Sequence, residues 1–248
     1  MSDGFLDFSM DDGDDKVGKR SKRFSGETGR TYRVTPCWFS LKTENGWDDE
    51  AAWQKDGSLH PDAQIRYTGC ERIYKQGVGY FLYKGPAYAQ FGKPKQNVAT
   101  LLLVWPTDKD GDLDVGSFKN GKGWQVQPWV FSTDKYQTLK KQNKRFPFIT
   151  NDVCISCTDS QYQKMTFTPE GESLLQKLIS SDKPEYKEVV KRIRADIVAV
   201  ASGIHRDLAR DLTIDQIKEA LGEEVDTPSG GSSSHASADV DDLLDSVL

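Results

Sequence analysis

The stretch NVATLLLVWP, residues 97–106, sets the reading of the fold. From Val98 to Trp105 it is apolar with Thr100 alone interrupting, is rich in strand-forming residues, and is closed by Pro106. It is the best apolar run in the chain and falls far short of the roughly 18 residues a membrane helix needs, so it reads as a strand. Working outward, TYRVTPCWFSL (31–41), QIRYTGCERIY (64–74), VGYFLYKG (78–85) and GWQVQPWVF (123–131) are further short aromatic runs, separated by Gly, Pro, Asn and Asp. Several such strands predict a barrel or a sandwich. The segment STDKYQTLKKQNK (132–144) interrupts them as a short helix, with Ser132 to Asp134 supplying capping side chains, before FITNDVCISCTD and QYQKMTFTP resume strand character.

Helical periodicity takes over past Thr168-Pro169, where the Thr is placed to cap and the Pro to occupy the first turn. Leu174, Leu175, Leu178 and Ile179 recur at helical spacing, and PEYKEVVKRIRADIVAVAS continues the period. A last helix, IDQIKEALG, carries Thr213 three residues before Gln216 as a capping box and Gly222 as its stop. Strands followed by helices predict an α+β chain that is mainly β.

The charge is segregated along the chain. The net charge of -5 divides into acidic ends and a basic body: residues 1–15 hold six acids and residues 223–248 seven, with no Lys or Arg in either. The remaining 25 acids face all 33 bases, so the body carries +8. A basic body attracts a polyanion, and a flexible acidic end can compete for that surface or engage a partner. Ordinary solubilising tails are the plainer explanation for one acidic end taken alone. The C-terminal end has more pattern than that: SGGSSSHASA is a flexible linker, and ADVDDLLDSVL alternates acids with apolar groups. Asp239, Asp241, Asp242, Leu243, Leu244, Asp245 and Leu248 are therefore candidate partner-binding residues. Lys16, Lys19, Arg20, Lys22 and Arg23 put five bases into eight residues at the other junction, as in an arm that clamps a phosphate backbone.

Residues 65–95 interleave seven Tyr and Phe with six Lys and Arg, opposed only by Glu71. Unpaired bases need flat faces to stack on and cations beside them for the phosphates, and this segment supplies both. Tyr74, Tyr80, Tyr83 and Tyr88 are the candidate stacking residues. Lys75, Lys84 and Lys93, with Lys140, Lys141, Lys144 and Arg145 of the acid-free stretch 135–145, are the candidate phosphate track. In VGYFLYKG, Tyr80 and Leu82 share one strand face and Phe81 and Tyr83 the other, so only one set can form the platform.

Other chemistry finds little support in the sequence. Cys154 and Cys157 have C-x-x-C spacing, but Cys37 and Cys70, which would complete a four-thiolate site, are 33 residues apart, and no metal or cofactor is expected. Asp108, Asp110, Asp112 and Asp114 miss the spacing of a calcium loop and read as a polar turn. No nucleotide-binding, nucleophile-elbow or zinc-protease motif is present, so the chain is not expected to be an enzyme.

The acidic apolar end DVDDLLDSVL behind its Gly/Ser linker, with the body stretches TLLLVWPTDKDGDLD, QPWVFSTDKYQTLKKQ and ISCTDSQYQKMTFTP, resembles the phage single-stranded DNA-binding proteins of replication. The resemblance implies an OB-fold-like barrel with an inserted short helix and a C-terminal helical segment. It implies sequence-independent binding of single-stranded DNA in replication, recombination and repair. It further implies a tail that recruits replication or recombination proteins and competes with DNA. The expected organisation is an acidic then basic arm over 1–23, the binding core over 24–168, a packed helical segment over 169–222, and the linker and tail over 223–248. No membrane partner is expected, and the acidic N-terminus, unlike a secretory leader, predicts a cytoplasmic location, the host cytoplasm if phage-encoded. The rival reading is a replication or transcription adaptor that binds proteins instead of nucleic acid.

Overall fold

The computed structural model describes residues 23–108, 110–114, 116–117, 123–158 and 165–223. The arm before Arg23 and the tail residues Asp239, Asp241, Asp242, Leu243, Leu244, Asp245 and Leu248 lie outside the described residues.

Among the described residues ten strands are formed: β1 (Thr31–Pro36), β2 (Phe39–Thr43), β3 (Gly46–Asp48), β4 (Gln64–Ile65), β5 (Thr68–Lys75), β6 (Gly79–Leu82), β7 (Lys95–Val104), β8 (Gln125–Ser132), β9 (Asn151–Cys157) and β10 (Met165–Glu172). Helix α1 (Thr133–Arg145) joins β8 to β9, and α2 (Leu174–Ile179), α3 (Pro184–Ala201), α4 (Ile204–Leu208) and α5 (Ile214–Leu221) follow β10. The chain is α+β and mainly β, and its strand pairing is antiparallel throughout both sheets.

The apolar run that opened the sequence reading is β7, the organising strand of the larger sheet. β8 pairs with it from Asn97↔Ser132 to Val104↔Gln125. Its other edge is shared, since β1 takes Leu102 to Val104 and β5 takes Lys95 to Ala99. The sheet therefore forks, continuing from β1 through β9 to β10 and from β5 to β6. A strand buried on both faces needs apolar residues at every position, which is why 98–105 is not alternating. Val98 and Leu102 enter one cluster with Tyr32, Val34, Trp129, Phe131, Val153 and Ile155, capped by Leu139 of α1. Ala99, Leu101 and Leu103 enter another with Trp38, Phe39 and Trp53 and with Leu175, Leu178, Val190, Ile193 and Ile197 of α2 and α3. Helices α2 and α3 thus cover the face of β7 and β8 that carries Ala99, Leu101, Leu103, Val126 and Val130.

The larger sheet is not closed into a barrel. Its open seam lies between β8 and β10, and side chains bridge it: the rings of Trp129 and Phe167 are 5.7 Å apart. Phe24 sits edge-on to both Tyr32 and Trp129, and its amide donates to the Pro128 carbonyl on the outer edge of β8.

The start of the helical segment differs from the sequence expectation. Thr168 and Pro169 remain in β10, paired with Cys154 and Val153, and the first helix begins at Leu174. β10 is an edge strand, where the missing proline N–H costs no ladder bond, so sheet pairing overrides the local helix signal. The last helix forms as read: the Thr213 hydroxyl accepts from Gln216 N at 3.2 Å, the Gln216 side chain accepts from Thr213 N at 2.9 Å, and Gly222 ends α5 at φ 72°. Among the described residues no helix is long and apolar enough to cross a membrane.

Candidate nucleic-acid interface

Alternation along the hairpin β5–β6 separates a buried face from an open one. Ile73 and Phe81 pair across it and enter a cluster with Val78, Tyr88, Phe91 and Ile217 of α5. Tyr74 and Tyr80 pair on the opposite face, 54% and 41% exposed. Their ring centroids are 5.0 Å apart at an interplanar angle of 53°. A base sandwiched between two rings needs about 7 Å, twice the 3.4 Å repeat of a strand. The pair therefore presents a single outer platform and has no slot for intercalation.

Arg72 lies beneath this platform. Its guanidinium carbon is 4.0 Å from the Tyr80 ring centroid, while Nη1 donates to the Leu208 carbonyl at 2.8 Å and Nη2 to Asn97 Oδ1 at 3.0 Å. Burial draws its pKa down from the ordinary arginine value. The outer edge of β6 is held by Arg210, whose amide donates to the Tyr80 carbonyl at 2.9 Å and whose carbonyl accepts from Leu82 N at 3.0 Å. The C-terminal segment thereby fixes the hairpin that carries the two exposed tyrosines.

Not all the residues expected at the site arrive there. Tyr88 is buried, because the 3-10 turn Pro86–Phe91 directs it beneath the hairpin, where its hydroxyl donates to the Leu212 carbonyl at 3.0 Å. A base cannot reach that ring, so Tyr88 belongs to the core and not to the platform. Tyr83 is half-buried against the same cluster. Lys84 is ion-paired with Asp211. Lys75 is half-exposed, Lys93 is exposed, and neither has a carboxylate partner among the described residues.

Helix α1 carries the second group of cations. At 100° per residue, Lys140, Lys141, Lys144 and Arg145 fall within an arc of about 140°, opposite Leu139 and with Tyr136 one turn before Lys140 at its edge. Leu139 is buried and Tyr136 packs on Tyr67 at 5.1 Å, so the remaining face of the helix carries the cations. Lys141, Lys144 and Arg145 are exposed, Lys140 is half-buried, and none is ion-paired among the described residues. Ser132 caps the helix, accepting from Lys135 N at 3.4 Å. Phe146, which the sequence reading passed over, follows directly and is 47% exposed.

The cysteines are free thiols. Cys154 and Cys157 are three apart on β9 and so face opposite sides of the sheet. Among the described residues no group of three or more His, Cys, Asp or Glu is placed to hold a metal ion. The carboxylates of Asp108 and Asp114 accept backbone N–H groups of residues 110, 112, 116 and 117, the arrangement of a polar turn. A cavity of about 300 Å³ between β8 and α3, lined by Gln125, Val126, Gln127, Asp196, Ala199 and Val200, holds no cation in its wall. No family model, curated protein or solved structure matches the chain.

Proposed function

We propose that this chain is a sequence-independent single-stranded DNA-binding protein, without enzymatic activity, that protects and organises single strands during phage replication, recombination and repair. The observation that carries the reading is the Tyr74–Tyr80 pair, two adjacent aromatic faces left open to solvent over a buried arginine. Exposed tyrosines on a hairpin that also buries its other face are costly to leave bare and suited to stacking on unpaired bases. Lys140, Lys141, Lys144 and Arg145 of α1, none ion-paired among the described residues, supply phosphate neutralisation with Lys75 and Lys93.

The strand order supports an OB-fold-like core. The order β8-β7-β1-β9-β10, with α1 between β8 and β9, has the connectivity of a five-stranded, partly open barrel. In that fold the loop between the first two barrel strands is one of the surfaces that hold oligonucleotides. On this reading β1 and β7 would take those positions, and the hairpin inserted between them bears Tyr74 and Tyr80. The face of β7 and β8 that carries Leu101 and Leu103 is occupied by α2 and α3, which leaves the inserted hairpin as the open part of such a surface. The acidic tail over 223–248 would recruit replication or recombination proteins and compete with DNA, in the host cytoplasm.

The test is anisotropy titration of a labelled dT oligonucleotide with the full chain and with a Tyr74→Ala/Tyr80→Ala variant, at low and high salt. Tight, salt-sensitive binding that weakens at least tenfold in the variant is expected. Failure of the unaltered chain to bind would overturn the reading in favour of a protein-binding adaptor.

A further inference from the structure

Four large apolar side chains among the described residues are exposed: Tyr74, Tyr80, Phe146 and Val198. Two form the platform already described. We infer that Phe146 is a second, separate base-stacking residue, taking a nucleobase of the strand whose phosphates lie along α1; this rests on the single-strand reading above.

Three observations converge on Phe146. First, Phe146 is 47% exposed although the turn around it is firmly built. The Phe146 amide donates to the Gln142 carbonyl at 2.8 Å, Phe148 N donates to Asn143 Oδ1 at 2.7 Å, and the Pro147 carbonyl accepts from both Thr150 N and Asn151 N at 3.0 Å. Phe148 two residues on is buried, anchoring the turn in the core. The turn fixes the point at which the phenyl ring leaves the backbone, so a base stacking on it need not order the loop.

Second, Phe146 is the C-cap residue, directly after Lys144 and Arg145 at the C-terminal end of the helix that also holds Lys140 and Lys141. Those four cations have no carboxylate partner among the described residues, so they are available to phosphates. Third, an aromatic face beside unpaired cations is the pairing of groups that single strands require, and Phe offers that face without a hydrogen-bonding group to select among bases. An apolar protein partner would meet the charges of the neighbouring Lys144 and Arg145, whereas a polyanion with flat bases satisfies both kinds of group.

The experiment compares the full chain with Phe146→Leu and Phe146→Trp in binding to a labelled dT20 oligonucleotide. Leucine keeps the apolar bulk and removes the stacking face, so affinity is expected to fall about tenfold, the loss of one stacked base. Tryptophan keeps the face, so affinity is retained and the added indole emission is quenched on binding. Thermal unfolding midpoints within a few degrees of the unaltered chain show that the turn is intact in both variants. Phe146→Leu binding as tightly as the unaltered chain overturns the inference while leaving the platform reading in place. Absence of binding by the unaltered chain overturns both.

Discussion

The Arg72 guanidinium lies over Tyr80, 4.0 Å from its ring centroid, while its two terminal nitrogens bond two different segments of the chain. One bonds Asn97 of β7 and the other the carbonyl of Leu208, at the end of α4. A single buried cation therefore ties the central strand, the C-terminal segment and the exposed ring together. The ring's lower face is filled by the guanidinium, so only its outer face is open for stacking. This is how an exposed side chain on a short hairpin acquires a fixed position: the ordering is built into the core beneath it.

Replacing Arg72 separates support from direct contact. Arg72→Met keeps length and apolar contact but leaves Leu208 O and Asn97 Oδ1 without their donor, and a loss of about 3 kcal/mol in unfolding free energy is expected. Oligonucleotide affinity should fall as Tyr80 loosens, with the salt dependence unchanged, because a buried cation releases no counterion. A shallower salt slope in Arg72→Met would mean that Arg72 touches phosphate directly.

Asp152 makes a comparable junction at the other end of the larger sheet, on β9. Fully buried, it accepts from Arg33 Nε at 2.9 Å, from the Thr35 hydroxyl, and from Leu174 N at 3.0 Å, joining β1, β9 and the start of α2. Thr35 in turn accepts from Trp105 Nε1 at 2.8 Å. Asp152→Ala strands the half-buried Arg33 guanidinium and is expected to cost about 3–5 kcal/mol, read as a lowered urea midpoint at unchanged m-value. Asp152→Asn, which keeps an acceptor, should lose less.

These junctions mark where sequence legibility ends. β7, α1 and the α5 capping box were readable because each is specified locally, by an unbroken apolar run, by a cap and by a Thr-x-x-Gln pair. The face of the hairpin was readable only as a choice of two, and burial of Phe81 on the shared cluster leaves the Tyr80 face exposed. Tyr88 misled because its setting is a 3-10 turn, which has neither the strand period nor the α-helical one. Lys84 looked like a free cation because its partner, Asp211, is supplied by the distant C-terminal segment. Thr168-Pro169 carried a genuine helix-start pattern that pairing with β9 overrode. Phe146 had a signal, an aromatic residue directly after KKQNKR and before the proline that ends the helix, but its exposure depends on the turn that buries Phe148 instead.

Cys154 gives a pH-dependent readout of β9. Burial, followed by the Glu170 carboxylate whose oxygen is 3.6 Å from Sγ, pushes its thiol pKa up to about 11 from the ordinary 9.0. The folded chain holds this proton more tightly than the unfolded chain, so the contribution to stability is complete below pH 9 and is lost as pH rises from 9 toward 11. At pH 9 a free thiol is half ionised and Cys154 only about 1%, so its alkylation by iodoacetamide should be about fiftyfold slower than that of an unhindered cysteine. Glu170→Gln should speed the reaction. Alkylation of Cys154 at the free-thiol rate, mapped by mass spectrometry, would contradict this environment.

The salt dependence of binding distinguishes cations that are available from those already engaged. Each phosphate neutralised on a single strand contributes about 0.7 to the slope of log affinity against log salt. Lys141 and Lys144 are exposed and without an ion-pair partner among the described residues, so Lys141→Ala/Lys144→Ala should make the slope shallower by about 1.4. Lys84 is held by Asp211, and freeing it for phosphate would release a carboxylate close to the same strand. Lys84→Ala is therefore expected to change the slope less than either lysine of α1, and Lys84→Ala/Asp211→Ala less still. A slope loss for Lys84→Ala equal to that for a single α1 lysine would show that the Lys84–Asp211 pair opens when a strand binds, placing Lys84 on the phosphate track despite its partner.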